Sequence, residues 1–138
     1  MIYLDTSVLA AYYLPEEISL QVQTYIQGKS LLITELTRLE FYSALSIRVR
    51  TNSLLKSDAK RIMELFKSHL RDAYYLNKRL NSKHYEKAGE YIATLSLPIK
   101  APDALHLAFA ASENLKIVTA DKQLANNASK LAIDYELF

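Results

Sequence analysis

Apolar residues in this chain fall into short unbroken runs, which read as buried strands, and longer stretches repeating every three or four positions, which read as helices. Residues 1–4 predict a short buried strand and Thr6–Leu14 a helix. Pro15 separates that helix from a second one over Glu16–Gln27, which Gly28 ends. Ser30–Thr34 is another short apolar strand. Glu35–Arg50 then shows helical spacing through Leu36, Leu39, Ala44 and Ile47, and Asp58–Ala73 shows it through Ile62, Leu65, Phe66, His69 and Leu70. Tyr74–Leu80 reads as a strand and Tyr85–Leu95 as a helix closed off before Pro98. Pro102 opens a strongly apolar helix over Asp103–Glu113. Lys116–Thr119 is a strand, Lys122–Leu131 a helix and Ile133–Tyr135 a final edge strand.

Strands alternating with helices predict an α/β fold: an αβα sandwich around a central, mainly parallel sheet of about five strands. The chain has 138 residues, half of them hydrophobic, which suits one buried core, and no repeat or linker divides it. A single domain over residues 1–138 is therefore expected.

Composition narrows the function classes. With no cysteine there is no disulfide framework and no thiolate metal site, and His69, His84 and His106 lie too far apart for a zinc motif. A reducing, cytoplasmic setting is expected. The start of the chain lacks the basic and apolar regions of a signal peptide, and no apolar run approaches the roughly 20 residues of a membrane span. The net charge of +2 is small but unevenly spread. Eleven of the seventeen Lys and Arg residues lie between Arg48 and Lys87, with only four acids among them. Such a basic middle suits phosphate contacts and equally suits the solvated face of a long helix.

The acids are placed more informatively. Asp5 and Asp121 each follow an apolar strand and precede a helix, and open α/β sheets bind ligands beyond the carboxyl ends of their strands. Each, taken alone, also reads as a helix N-cap, and Asp103 after Pro102 invites the same reading. Glu40 is different. It sits in mid-helix, where capping is not available, on a face made by Leu36, Thr37, Ser43, Ala44 and Ile47. An ionised carboxylate turned toward a core is costly unless paired or bound to a cation. The structural alternatives for Glu40 are an ion pair with Arg38 or Arg48, or a tilt of the helix that leaves it at the rim.

At these same positions the sequence resembles the PIN-domain nucleases of the VapC toxin type, over almost the whole chain. The resemblance is carried by Tyr3-Leu4-Asp5-Thr6-Ser7, by Glu40 within Leu39-Glu40-Phe41-Tyr42-Ser43-Ala44-Leu45, by Pro102-Asp103-Ala104-Leu105-His106-Leu107-Ala108, and by Val118-Thr119-Ala120-Asp121-Lys122-Gln123-Leu124-Ala125. It implies a site of four carboxylates, Asp5, Glu40, Asp103 and Asp121, that holds magnesium or manganese and cleaves RNA. It further implies a homodimer and a VapB-like antitoxin whose extended segment covers the site. Many relatives carry one more acid two residues beyond the last aspartate, where this chain has Gln123.

Phosphodiester hydrolysis requires a water made nucleophilic near neutral pH and a stabilised leaving oxygen, both of which a metal ion supplies. Magnesium prefers oxygen ligands and keeps several waters, so carboxylates without histidine or cysteine suit it. Asp5 and Asp103 are expected as direct ligands, with Glu40 and Asp121 completing the site. Thr6, Ser7 and Thr119 are candidates to orient the acids through their hydroxyls, the competing reading being local helix caps. His106, on a very apolar helix, is expected to be a hydrogen-bonded core histidine. The ten tyrosines, including Tyr12-Tyr13 and Tyr74-Tyr75, suit packing in the core or a subunit interface, or stacking on RNA bases.

Two other functions are compatible with parts of the sequence. Asp5 followed by Thr6-Ser7 is also the start expected of an aspartyl-phosphate phosphatase of the haloacid-dehalogenase type, but that family's second acid would fall at Ser7. A PIN-like module that binds RNA or protein without cutting is the other.

Overall fold

The computed structural model describes all 138 residues. Five strands, β1 (Ile2–Leu4), β2 (Leu31–Thr34), β3 (Tyr75–Lys78), β4 (Lys116–Thr119) and β5 (Tyr135–Leu137), form one sheet in the order β3-β2-β1-β4-β5. Every neighbouring pair is parallel. Seven helices fill the connections: α1 (Thr6–Tyr13), α2 (Ser19–Ile26), α3 (Glu35–Arg50), α4 (Lys56–Arg71), α5 (Ser82–Ala93), α6 (Ala101–Ser112) and α7 (Lys122–Lys130).

Period-two alternation divides the core between the two faces of the sheet. Ile2, Leu4, Leu31, Ile33 and Val118 pack with α1, α2, Phe41 and Leu45 of α3, and Phe66 of α4. Tyr3, Leu32 and Ile117 point the other way, against Leu107 and Phe109 of α6 and Leu124 of α7. The strands are thus covered on both faces, which explains why β1 is wholly apolar apart from the Tyr3 hydroxyl. Strand order reverses on either side of β1, so the connection after β1 and the one after β4 diverge beside each other. That switch point is where such sheets open a crevice.

Several boundaries differ from those the pattern predicts. α2 begins at Ser19 rather than Glu16, because Ser19 Oγ accepts from Glu16 N at 2.8 Å and donates to Ala11 O at 2.7 Å, holding residues 15–18 as a turn on the end of α1. α4 and α5 each start two or three residues early, and the last strand is Tyr135–Leu137. Ala132 takes φ +55° and Ile133 N donates to Ala128 O at 2.9 Å, which closes α7 and spends Ile133 on the core before the strand begins.

The face of α3 also differs. Leu39 and Ile47 are 68% and 48% exposed, whereas Thr37, Phe41 and Leu45 are buried. The N-terminal cap sets this rotation. Thr34 Oγ1 accepts from Thr37 N at 3.3 Å while Thr37 Oγ1 accepts from Thr34 N at 3.3 Å, turning Thr37 inward, and the positions four and eight residues on follow it. No helix is long and apolar enough to cross a membrane.

Candidate active site

The four acids lie at the starts of four helices: Asp5 and Asp121 cap α1 and α7, Asp103 is in the first turn of α6 and Glu40 in the second turn of α3. Asp5 follows β1 and caps α1, its Oδ1 accepting from Val8 N at 3.2 Å. Ser7 Oγ donates to the same oxygen at 2.6 Å and Thr119 Oγ1 donates to Oδ2 at 2.7 Å. Asp5 is only 5% exposed, and burial pushes its pKa upward against the pull of His106, Ser7, Thr119 and the Val8 amide. These fixed donors decide which way its oxygens face.

Asp121 follows β4 and caps α7, with Oδ1 accepting from Gln123 N at 2.8 Å and Leu124 N at 3.1 Å. Ser7 and Thr119 tie the β4 end to the β1 end: Ser7 Oγ accepts from Ala120 N at 2.8 Å, and Thr119 Oγ1 accepts from Asp121 N at 2.9 Å. The two strand ends that carry acids are therefore stitched together by hydroxyls that also touch a carboxylate.

Asp103 is not a cap. α6 starts at Ala101 with Lys100 in the cap position and Pro102 within the first turn, which places Asp103 inside that turn. Its carboxylate accepts no hydrogen bond from the chain. Burial raises its pKa, and the negative charges of Asp121, Glu40 and Asp5 raise it further against the opposing pull of His106. All three of the other acids thus lie near enough for Asp103 to feel them.

Glu40 lies one turn further along its helix than a cap would reach. Its Oε1 accepts from Thr6 Oγ1 at 2.9 Å and from His106 Nε2 at 2.5 Å. Burial alone would raise the Glu40 pKa, but the hydrogen bonds and charge of His106, with Thr6, outweigh it and hold the carboxyl below the usual range. The alternative partners fall away: Arg48 pairs with Glu16 at 2.6 Å, and Arg38 makes no ion pair.

Behind Glu40 lies a buried polar chain. His106 Nδ1 is hydrogen-bonded to the Tyr3 hydroxyl at 2.5 Å, and that hydroxyl also meets Thr34 Oγ1 at 3.1 Å. His106 is a hydrogen-bonded core histidine, 2% exposed, but its partners are Tyr3 and an acid. Sequence reading missed Tyr3, Thr34 and Thr37. The available signal was a tyrosine in a three-residue central strand, since a buried phenol needs a partner.

The other marked residues lie elsewhere. Tyr13, Tyr75 and His69 form a hydrogen-bonded cluster, with Tyr13 Oη 2.9 Å from Tyr75 Oη and 2.6 Å from His69 Nδ1, at the amino end of the sheet. His84 Nδ1 accepts from Asn81 N at 3.0 Å in the capping box of α5.

The sequence matches the PIN domain family model over residues 2–130. The chain belongs to the PIN domain family. Among curated protein sequences none matches it. Among solved structures the PIN chain is similar to FitAcB from Neisseria gonorrhoeae, with 18% identity, a TM-score of 0.71 and coverage of 98% of this chain and 96% of that one. It is also similar to VapBC2 from Rickettsia felis bound to a promoter DNA fragment, at 20% identity and a TM-score of 0.69, covering 100% and 99%. A third is Mycobacterium tuberculosis VapC20, a sarcin-ricin loop cleaving toxin, at 14% identity and a TM-score of 0.72, covering 91% and 94%. At these identities the likeness is one of fold.

The donors of this PIN site suit a hard divalent cation. They are all carboxylate oxygens, Asp103 is unpartnered, and the other three acids raise its proton affinity, which a cation relieves. No three of them close into a ready-made cage.

Proposed function

We propose that this PIN-domain protein is a metal-dependent endoribonuclease and the toxin of a toxin–antitoxin pair, with Asp5, Glu40, Asp103 and Asp121 as its site. The observation that carries this reading is the crowding of Asp103, unpartnered, among three other acids at the sheet's switch point. Bound magnesium or manganese would activate water and stabilise the leaving oxygen.

The chain's own residues set the geometry for that ion. Asp103 offers both oxygens. Asp121 offers Oδ2 and Glu40 offers Oε2, since the protein's hydrogen bonds fall on their other oxygens. Asp5 is the most firmly held, with Ser7 and the Val8 amide bonded to Oδ1 and Thr119 to Oδ2. The roles of Thr6, Ser7 and Thr119 are thus to fix carboxylates. Lys78 and Arg79, exposed at the carboxyl end of β3, lie on the same edge of the sheet and suit RNA phosphates.

Asp5 is poorly suited to be an aspartyl-phosphate nucleophile, being almost wholly buried with both oxygens already bonded. Structural neighbours that are toxin–antitoxin complexes support an antitoxin partner for this chain, and the toxin is proposed to act as a homodimer in the cytoplasm. The test is titration of magnesium and manganese into wild type and Asp103→Asn, with gel analysis of total cellular RNA incubated with each. Discrete metal-dependent fragments made by wild type alone are expected. Neither metal binding nor cleavage would leave a non-catalytic binding module, a reading that Gln123 in place of a further acid favours.

A further inference from the structure

Glu40 is the one acid of the four that is held by a histidine from across the fold. It is rooted in the second turn of α3, and the group that meets it, His106, is 66 residues away on α6. We propose that His106 is a positioning residue, backed by Tyr3 and Thr34, which holds Glu40 with Oε1 turned into the protein and Oε2 free for the site. This rests on the reading of Glu40 as a site acid.

The bonding leaves little freedom. An ionised carboxylate only accepts, so both Thr6 Oγ1 and His106 Nε2 donate, and both reach the same oxygen, Oε1. No hydrogen bond falls on Oε2. Two donors on one oxygen fix the carboxylate plane, which one donor would leave free to swing. The imidazole is itself fixed, because its second nitrogen meets the Tyr3 hydroxyl and its ring packs near the Tyr3 ring, with centroids 5.7 Å apart. Tyr3 is anchored in turn. It is fully buried on the central strand, bonded to Thr34 and in ring contact with Phe109 at 4.9 Å.

A histidine needed only for packing would be satisfied by any neighbour, including backbone. This one spends one nitrogen on an acid and the other on a residue whose backbone belongs to β1, two positions before Asp5. The chain of contacts therefore ties α3 and α6 to the strand that carries a second acid. Supporting groups of this kind typically change metal affinity or activity by about 10- to 100-fold when removed.

The experiment measures Mn2+ affinity by electron paramagnetic resonance, together with thermal melting and cleavage of total RNA, for His106→Leu, His106→Gln, Tyr3→Phe and Glu40→Gln. The His106→Leu/Glu40→Gln double variant is measured alongside. His106→Leu is expected to bind Mn2+ roughly 10-fold more weakly or worse. His106→Gln, whose amide can still donate to Oε1, recovers part of that loss, and Tyr3→Phe shows a smaller loss. In the Glu40→Gln background His106→Leu adds nothing, which a general packing defect would not produce. Equal losses in both backgrounds, or wild-type affinity in both His106→Leu and Tyr3→Phe, would overturn the proposal. If His106→Leu does not fold, Tyr3→Phe with and without Glu40→Gln gives the same comparison. Wild-type affinity and cleavage in Glu40→Gln would instead remove Glu40 from the site, and the proposal with it.

Discussion

Asp103→Asn should make the metal-free protein more stable, and the gain should depend on pH. The carboxylate is half-buried, accepts no hydrogen bond and stands near Asp121, Glu40 and Asp5, so its pKa is raised in the folded chain, chiefly by burial. The folded state consequently holds this proton more tightly than the unfolded state does. Stability contributed by the proton is fully present below the ordinary aspartate range near 3.9, and is lost as pH rises through the raised folded value. Asparagine keeps the shape and cannot ionise. At neutral pH, with solvent screening allowed for, relief of this charge is worth about 0.5–1 kcal/mol. For a chain of this size that is roughly 2–4 °C in Tm.

The assay is thermal melting by circular dichroism in EDTA, for wild type and variant, at intervals from about pH 3.5 to about pH 8, bracketing the ordinary aspartate value. The two curves should converge at the acid end and separate upward. Magnesium should then reverse their order, because an ion at 100 times its Kd stabilises the form that binds it by about 2.7 kcal/mol. A variant less stable than wild type in EDTA at neutral pH would refute the reasoning, as would a gap unchanged on acidification. Either result would mean that Asp103 is not the repelled member of an anionic cluster.

Other consequences follow from single contacts. Asp121→Ala removes the α7 cap and should cost about 1 kcal/mol, while Asp121→Asn keeps the cap and should cost a few tenths at most; urea unfolding of the pair separates capping from charge. Phe66→Ala empties the aromatic packing among Tyr13, Phe41 and Tyr42 and should cost about 3–5 kcal/mol by the same measurement. Glu16→Gln breaks the partly exposed pair with Arg48 and should cost less than about 1 kcal/mol, with its effect fading in high salt.

The layered α/β fold was legible because its signals are local and redundant. The Ile2-Tyr3-Leu4 run, the stop at Pro15 and the turn at Gly28 each mark one boundary without reference to the rest of the chain. The inward face of α3 was not legible. Leu39 and Ile47 lie on a good apolar stripe, but the rotation is set by the Thr34–Thr37 cap, a pair of polar residues whose effect on the core depends on the strand they adjoin. At the proposed site, Asp5 and Asp121 stand out in the sequence by their strand ends and Glu40 by its mid-helix place, while the set of four comes from the resemblance to PIN nucleases. Which oxygens are occupied could not be read there. The donors to Glu40 come from Thr6, 34 residues before it, and His106, 66 residues after it, and no local pattern links such distances.

Helix geometry explains why the four acids are not supported alike. Asp5 and Asp121 are N-caps and Asp103 lies in a first turn, so three of the acids sit at the positive ends of α1, α7 and α6. That placement favours a negative charge by about 0.3–1 kcal/mol each. It offsets part of the repulsion that comes from bringing them together. Glu40 is in the second turn of α3, beyond the first turn where the helix field acts, so it receives no such help. It is also the acid whose pKa is held low, which requires donors from outside its helix, and His106 and Thr6 are those donors. Asp103 shows the converse: it has the helix end but no hydrogen bond, and its pKa is raised. At Glu40 the donors outweigh burial and hold the carboxyl's charge, whereas at Asp5 burial outweighs three hydrogen bonds and at Asp103 there are none, so both of those are raised. The least supported acid, Asp103, is then the one with most to gain from a cation, and Glu40, already held in place, is the one best able to present a fixed oxygen to it.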